Sequence, residues 1–393
     1  MAISAKTREA QEQASWIRRM FEEGARMKQQ RGEENVFDFS LGNPCLDPPA
    51  AYLQGIREEL ELPPAGRYGY MPNAGYPETR EAVAAELRRR RGIPFEGKHV
   101  VMTCGAAGGL NVVFKTLLDP GEEVILPVPC FAEYFFYVDN HQGVCRTAET
   151  RSDFSLDLEA IAAAISGRTK AVLINSPNNP TGKMYDRESI AGLGALLQEA
   201  SERLGKTLYL ISDEPYGDIL FDGRVLPDLF SCYRSSILVN SYSKSLSIPG
   251  ERLGYVALHP EIEDLDGLLG GLSFCNRTLG YVNAPATAQR VIRKVTGARV
   301  DAGAYQRRRD LLCSGLDPAG YQYVKPDGAF YLFPKSPVPD DILFVKALLD
   351  EGVLVVPGTG FRRPGHFRIA YCVDESVIRR ALPVFARVRS RFP

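Results

Sequence analysis

Ile237-Leu238-Val239-Asn240 runs directly into Ser241-Tyr242-Ser243-Lys244-Ser245, and Gly250-Glu251-Arg252-Leu253-Gly254 follows shortly after. The opening residues read as a short strand buried on both faces, because an apolar run without polar alternation suits the inside of a parallel sheet. The same texture recurs upstream at His99–Thr103, Glu123–Leu126, Lys170–Asn175 and Leu208–Ser212. Between these runs lie stretches of helical length. One opens in a Gly-Ala-rich turn after Cys104 and runs to about Leu118; the others are Phe131–Asn140, Leu156–Ile165 and Arg187–Arg203. Asp119-Pro120-Gly121 closes the first, since proline cannot continue a helix and glycine accepts a positive φ. Short buried strands alternating with helices predict an α/β fold, a large domain whose mostly parallel sheet is flanked by helices.

Beyond about residue 290 the pattern changes. Val295–Leu312 reads as an arginine-rich helix, Gly320–Val324 and Ala329–Phe333 as strands able to pair, and Asp340–Glu351 as a helix. Two short strands and a C-terminal helix follow. This is an α+β segment, expected to form a smaller domain. A charged N-terminal helix over Thr7–Arg31 and a crossing segment, Phe37–Pro49, would join it. The expected division is residues 49–290 for the large domain and 1–48 with 291–393 for the small one.

The 393 residues are 45% hydrophobic and carry 47 Lys+Arg against 48 Asp+Glu, a net charge of −1. A near-neutral chain lacks the basic excess of a nucleic-acid binder, and its first 35 residues, with seven basic and six acidic side chains, form no basic arm. No apolar run nears the roughly 18 residues of a membrane span. Eight cysteines without a Cys-x-x-Cys pair suit a reducing cytoplasm, and four scattered histidines argue against a metal centre.

The chemistry gathers at strand ends. Lys244 follows its strand directly, where its amine can be held at a cleft. Ser241, Ser243 and Arg252 beside it make an anion cradle, since charge-assisted bonds to phosphate are short and strong. An amine next to an anion site suits an aldehyde cofactor anchored by its phosphate; a lone lysine at a strand end would otherwise be an exposed one. Asp213, in Asp213-Glu214-Pro215-Tyr216, ends another buried strand. A buried carboxylate there needs a partner, such as a protonated pyridine nitrogen, or else caps the next turn. Asn178-Asn179-Pro180-Thr181-Gly182 is a rigid turn that sets Asn179 on the same edge. Cys104-Gly105-Ala106-Ala107-Gly108-Gly109 opens a helix whose main-chain N–H groups suit an anion, although tight packing explains its small residues equally well. Phe131 is either core or a face for a planar ring. Arg368, inside the apolar stretch Phe367-Arg368-Ile369-Ala370, requires a carboxylate, either structural or brought by a ligand.

The order and wording of these pieces, Asn-Asn-Pro-Thr-Gly at 178–182, Asp-Glu-Pro-Tyr at 213–216 and Ser-Tyr-Ser-Lys-Ser at 241–245, resemble the fold type I pyridoxal-phosphate enzymes. More narrowly, the chain resembles class I/II aminotransferases of the aspartate aminotransferase superfamily from about Phe37 to its C-terminus. The resemblance implies pyridoxal 5'-phosphate bound as a Schiff base to Lys244, with Asp213 on the ring nitrogen. Tyr216 and Asn179 would meet the phenolic oxygen, and Phe131 would stack on the ring. The phosphate would lie among Ala106, Ala107, Ser241, Ser243 and Arg252, with Tyr70 reaching it from a neighbouring subunit. Arg368 would bind the substrate carboxylate near Gly42 and Asn179. It further implies a homodimer with shared sites acting on an amino acid and a 2-oxo acid.

Arg277, in Asn276-Arg277-Thr278, lies near the region where dicarboxylate-specific relatives place an arginine from the partner subunit. It reads either as a second carboxylate contact or as an exposed helix arginine. The aromatic cluster Phe131, Tyr134, Phe135, Phe136 and Tyr137 could line a pocket for bulkier side chains, but its helical spacing is more often that of core. The same fold and lysine also serve carbon–sulfur β-lyases and cyclopropane-forming synthases acting on S-adenosylmethionine. A catalytically silent cofactor-binding regulator is a further alternative. A dinucleotide-dependent dehydrogenase is disfavoured by the absence of a glycine fingerprint.

Overall fold

The computed structural model describes residues 2–12, 16–63 and 66–392. Its strands are β1 (Phe37–Asp38), β2 (Val100–Thr103), β3 (Glu123–Val128), β4 (Val144–Glu149), β5 (Thr169–Asn175) and β6 (Tyr209–Asp213). They continue with β7 (Ser236–Ser241), β8 (Gly254–Leu258), β9 (Tyr331–Leu332), β10 (Val353–Leu354), β11 (Val356–Pro357) and β12 (Phe367–Ala370). Seven of them form one sheet in the order β2-β8-β7-β6-β5-β3-β4. The run from β7 through β4 is parallel, whereas β8 lies antiparallel to both of its neighbours. Strands β2, β3, β6 and β8 are buried along their whole length, in keeping with their mainly apolar sequences. Only β4, at the edge, is largely exposed.

Helices cover both faces. Val83, Leu87, Ile190, Leu193 and Leu197 pack under one face, and Leu110, Val113, Phe114, Leu268 and Leu272 under the other. A separate core draws on both ends of the chain, joining Phe39 to Tyr305, Phe330, Phe344, Phe367 and Phe385. The three-stranded sheet β11-β12-β9 lies there, and β1 pairs with β10. Side chains of Asp157, Asp186, Asp301, Asp340 and Asp374 each accept a first-turn N–H of the helix that follows, fixing where those helices begin.

Three expectations need correction. Gly320–Val324 forms no strand; its backbone meets Lys335 through a single bond to Gln322, and β9 pairs with β12 instead. Val295–Leu312 is not one helix. Ala286–Val295 ends before a turn at 296–300, and Ala302–Leu316 restarts from the Asp301 cap, a break that Gly297 and Asp301 permit. The helix expected from Phe131 begins at Glu133. At the N-terminus, Ala5–Glu12 and Trp16–Arg31 are helical, and the part of the expected helix between them lies outside the described residues.

Register is what builds the site. Asn175 sits opposite Asp213 on β5 and β6, while Thr103 and Ser241 both lie opposite Gly254. The helix that follows β2, the turn after β7 and the approach to β8 therefore meet at one end of the sheet. A Cβ at Gly254 would overlap the Asn240 carbonyl oxygen and approach the Gly105 carbonyl carbon to 2.8 Å. Gly254→Ala should therefore cost about 1–3 kcal/mol, as overpacking does, read as a lowered melting temperature. Gly167→Ala, where nothing lies within 4 Å, should leave that temperature unchanged.

Candidate active site

The strand ends enclose a cavity of ≈ 260 Å³. Its lining includes Gly42, Ala106, Ala107, Phe131, Asn179 and Asp213, together with Tyr216, Ser241, Ser243, Lys244, Arg252 and Arg368. Every site residue expected from the sequence reaches this cavity except Tyr70. That tyrosine is 94% exposed in the loop before the Pro77–Arg91 helix and does not line the cavity.

Lys244 lies in a four-residue helix, Tyr242–Ser245, whose N-cap Ser241 accepts from Ser243 N–H. Its Nζ donates to the Gly42 carbonyl at 2.7 Å and lies 5.6 Å from the Phe330 ring centroid. Burial draws the amine down from 10.5 to about 8; Arg252 and Arg368 add to that shift, and Cys372 opposes it. A substantial fraction is thus neutral near physiological pH.

Asp213 is buried. Its Oδ2 accepts from the Tyr134 hydroxyl at 2.6 Å, while Oδ1 has no partner. Burial pushes this carboxyl up from 3.8 to about 7, with Glu214 adding to the push and the Tyr134 bond pulling it back. Asn175 braces the same region, donating to the Asp213 carbonyl at 2.8 Å and accepting from Asn179 N–H at 2.7 Å.

Arg368 is a buried guanidinium held by neutral groups. Its guanidinium donates to Asn179 Oδ1 at 2.9 Å and to the Ser40 carbonyl, and lies 4.8 Å from the Tyr331 and Phe361 ring centroids. Its Nε has no partner. Among the described residues no carboxylate pairs with it, so the structural ion pair allowed by the sequence is absent. Arg252 stands at φ 50, in the left-handed region, with Nη1 on the Pro249 carbonyl. Ser241 Oγ donates to Ser243 Oγ at 2.8 Å. Facing them, Ala106 and Ala107 occupy the first turn of the Gly105–Leu117 helix.

The protein-family model for aminotransferase class I and II matches residues 34–385. The chain belongs to the class I and II aminotransferases. Among curated relatives of this aminotransferase, the aspartate/prephenate aminotransferase of Thermus thermophilus is 36% identical, covering 90% of each chain. The probable aspartate aminotransferase of Methanocaldococcus jannaschii is 32% identical over 90% of this chain and 93% of its own. An amino transferase structure from Eubacterium rectale superposes with a TM-score of 0.96 at 37% identity, covering 100% of this chain and 99% of that one. The Thermus thermophilus aspartate aminotransferase with maleate gives 0.85 at 31% identity, covering 95% and 97%. Members of this family are pyridoxal-phosphate-dependent transferases, and the large mostly parallel sheet is the fold of those structures.

Sequence reasoning assigned no role to three residues that line this cavity, Tyr134, Tyr331 and Asn175. Tyr134 reads as core from its helical spacing, and it is buried, yet its hydroxyl ends on Asp213. The signal was its place one helical turn after Phe131. Tyr331, whose hydroxyl lies 2.8 Å from that of Tyr216, gave only a strand pattern. Asn175, in register with Asp213, could have been found from the strand ends alone.

Because the Asp213 pKa is higher folded than unfolded, its carboxyl supports folding below about pH 4, and that support is lost as pH rises through about 7. In apoprotein, the melting temperature of Asp213→Asn should therefore gain on wild type between about pH 4 and 7 and keep a constant lead above that. A pH-independent difference would mean that Asp213 titrates as an ordinary exposed acid.

Proposed function

We propose that this aminotransferase holds pyridoxal 5'-phosphate in the cavity and moves an amino group between an L-amino acid and a 2-oxo acid, with aspartate or glutamate as donor. One observation carries the reading. Lys244, Arg252 and Arg368 converge on one cavity, and among the described residues none of them has a carboxylate partner.

The residues fit the cofactor. Asp213 Oδ1 is a buried oxygen in want of a donor, and a protonated pyridine nitrogen is one. The first-turn N–H groups at Ala106 and Ala107, with Arg252, Ser241 and Ser243, suit a phosphate dianion. A Cβ at Gly105 would fall 2.7 Å from Arg252 Nη2, so glycine keeps that cradle open. Phe131 offers a flat face, and Asn179 and Tyr216 offer polar groups for a phenolic oxygen.

When bound, the cofactor supplies the electron sink that makes an amino-acid Cα proton removable. The chain's own residues supply the rest. Arg368 orients the substrate carboxylate by its planar fork. Lys244, with its amine lowered to about 8, takes the Cα proton and returns it. Asp213, ionised once a cation faces Oδ1, keeps a proton on the pyridine nitrogen. Holding these groups in place can be worth roughly 7–11 kcal/mol.

The cavity's cations are committed to the amine, phosphate and α-carboxylate roles, so a second carboxylate needs a further one. Arg277 is exposed, stacks on Phe274 at 5.5 Å, and follows Asn276, whose amide donates to the Asn73 carbonyl. Tyr70 and Arg277 are both exposed, and we read both as facing the active site of a second copy in a homodimer. The same reading takes residues 49–290 as the larger domain and 1–48 with 291–393 as the smaller. Eight free thiols favour the cytoplasm.

Each L-amino acid added to holoenzyme without a 2-oxo acid tests the chemistry; aspartate and glutamate should bleach the visible absorption fastest, and no response to any would overturn the reading. Lys244→Ala should abolish both turnover and borohydride-stable attachment of the cofactor. Arg277→Ala should raise the aspartate KM roughly tenfold, the loss of about 1.4 kcal/mol of charge-assisted binding; unchanged aspartate kinetics would remove the second-carboxylate role. For the shared site, mixing Tyr70→Ala with Lys244→Ala subunits should restore activity that neither has alone.

A further inference from the structure

Tyr331 has no role in the reading so far, yet it touches three parts of the site. It lies on β9, paired through Ala370 with the strand that carries Arg368. Its ring centroid is 4.8 Å from the Arg368 guanidinium carbon, and its hydroxyl is 2.8 Å from that of Tyr216. A Cβ at Gly42 would overlap that hydroxyl, and the Gly42 carbonyl is the acceptor for Lys244. Tyr331 is 2% exposed and lines the cavity.

Two physical effects follow. Among the described residues Arg368 has no carboxylate partner, so the aromatic faces beside it supply part of what its guanidinium lacks. Tyr216 meets Tyr331 Oη as its side-chain hydrogen-bond partner. If Tyr331 donates to Tyr216, the hydrogen of Tyr216 is left to point into the cavity, and hydroxyl chains of this kind reinforce one another.

We propose that Tyr331 is a positioning residue with two separable functions: its ring holds Arg368 for a substrate carboxylate, and its hydroxyl sets the direction of the Tyr216 O–H. This rests on the reading of Arg368 as carboxylate receptor and Lys244 as working amine. Gly42 belongs to the same arrangement, because only a residue without a side chain leaves room for the Tyr331 hydroxyl beside the carbonyl that receives Lys244.

The test compares wild type, Tyr331→Phe and Tyr331→Met holoenzymes. The phenylalanine variant keeps the ring and loses the hydroxyl, while methionine fills similar space without an aromatic face. Binding of 2-methylalanine, which has an α-carboxylate but no Cα proton, is read by absorbance beside steady-state kcat and KM. Tyr331→Phe should lower kcat about tenfold while the affinity for 2-methylalanine and the KM stay within about twofold. Tyr331→Met should in addition weaken 2-methylalanine about tenfold or more. Equal kcat in wild type and Tyr331→Phe overturns the hydroxyl function, and unchanged 2-methylalanine affinity in Tyr331→Met overturns that of the ring. Should the methionine variant fail to fold, Tyr331→Leu takes its place, and the phenylalanine arm decides the hydroxyl function alone. A wild type active on amino acids with both variants unaltered sinks only this inference; a wild type inert toward every amino acid sinks the functional reading and takes this inference with it.

Discussion

Three positive side chains share one cavity with a single carboxylate, Asp213, among the described residues that line it. Like charges in a partly dry site repel, and among the described residues none of the three has a carboxylate partner. The contrast with Arg309 shows that this is not how the fold treats every buried arginine. Arg309 is fully buried and takes Asp222 at 2.7 Å, Asp310 at 2.8 Å and the Pro326 carbonyl at 3.0 Å. Arg91 likewise meets Glu214 and Asp228. Arg368, just as buried, receives only an amide oxygen, a carbonyl and two aromatic faces. A guanidinium held that way is stabilised enough to keep its place and remains short of one anion.

The sheet makes this arrangement affordable. Parallel strands β5, β6 and β7 deliver Asn175, Asp213 and Lys244 to one edge, and the reversed direction of β8 brings the chain back to that edge at Arg252. A fully parallel continuation would have put the approach to β8 at the opposite end. The left-handed φ of Arg252 and the close contact between Gly254 and Gly105 are local consequences of this return. Strain there is borne by a strand whose neighbours are buried on both faces.

Most of this was legible from the sequence because each strand end announces itself: an apolar run, then polar residues of unusual kind. Lys244, Asp213 and Asn179 all stand directly after such runs. The edge strand β4 was not legible, since Val144–Glu149 is mostly exposed and mixes charge with β-branched residues. Strand β8, Gly254–Leu258, was not read as a strand either, and its antiparallel sense depends on where the chain returns, which leaves no mark on composition. Tyr134 and Tyr331 were invisible for a third reason. Their rings satisfy the packing pattern of a helix and a strand, and the chemistry lies in the terminal oxygen, which periodicity does not register. Gly320–Val324 failed as a strand because alternation alone does not supply a partner; the segment expected to pair with it, β9, pairs with β12 instead.

The site also joins two cores that are otherwise separate. Lys244 and Asp213 stand on the seven-stranded sheet, whereas Arg368 and Tyr331 stand on the three-stranded one, and Tyr216 packs with the second core although it follows β6. Three hydrogen bonds cross this divide at the cavity: Lys244 to the Gly42 carbonyl, Tyr216 to Tyr331, and Arg368 to Asn179. The first two reach the same point, since Gly42 and the Tyr331 hydroxyl are in contact. The Lys244 amine and the Arg368 guanidinium are therefore registered to each other through a glycine and two phenols. A change at position 42 that leaves every charged group intact would still disturb both.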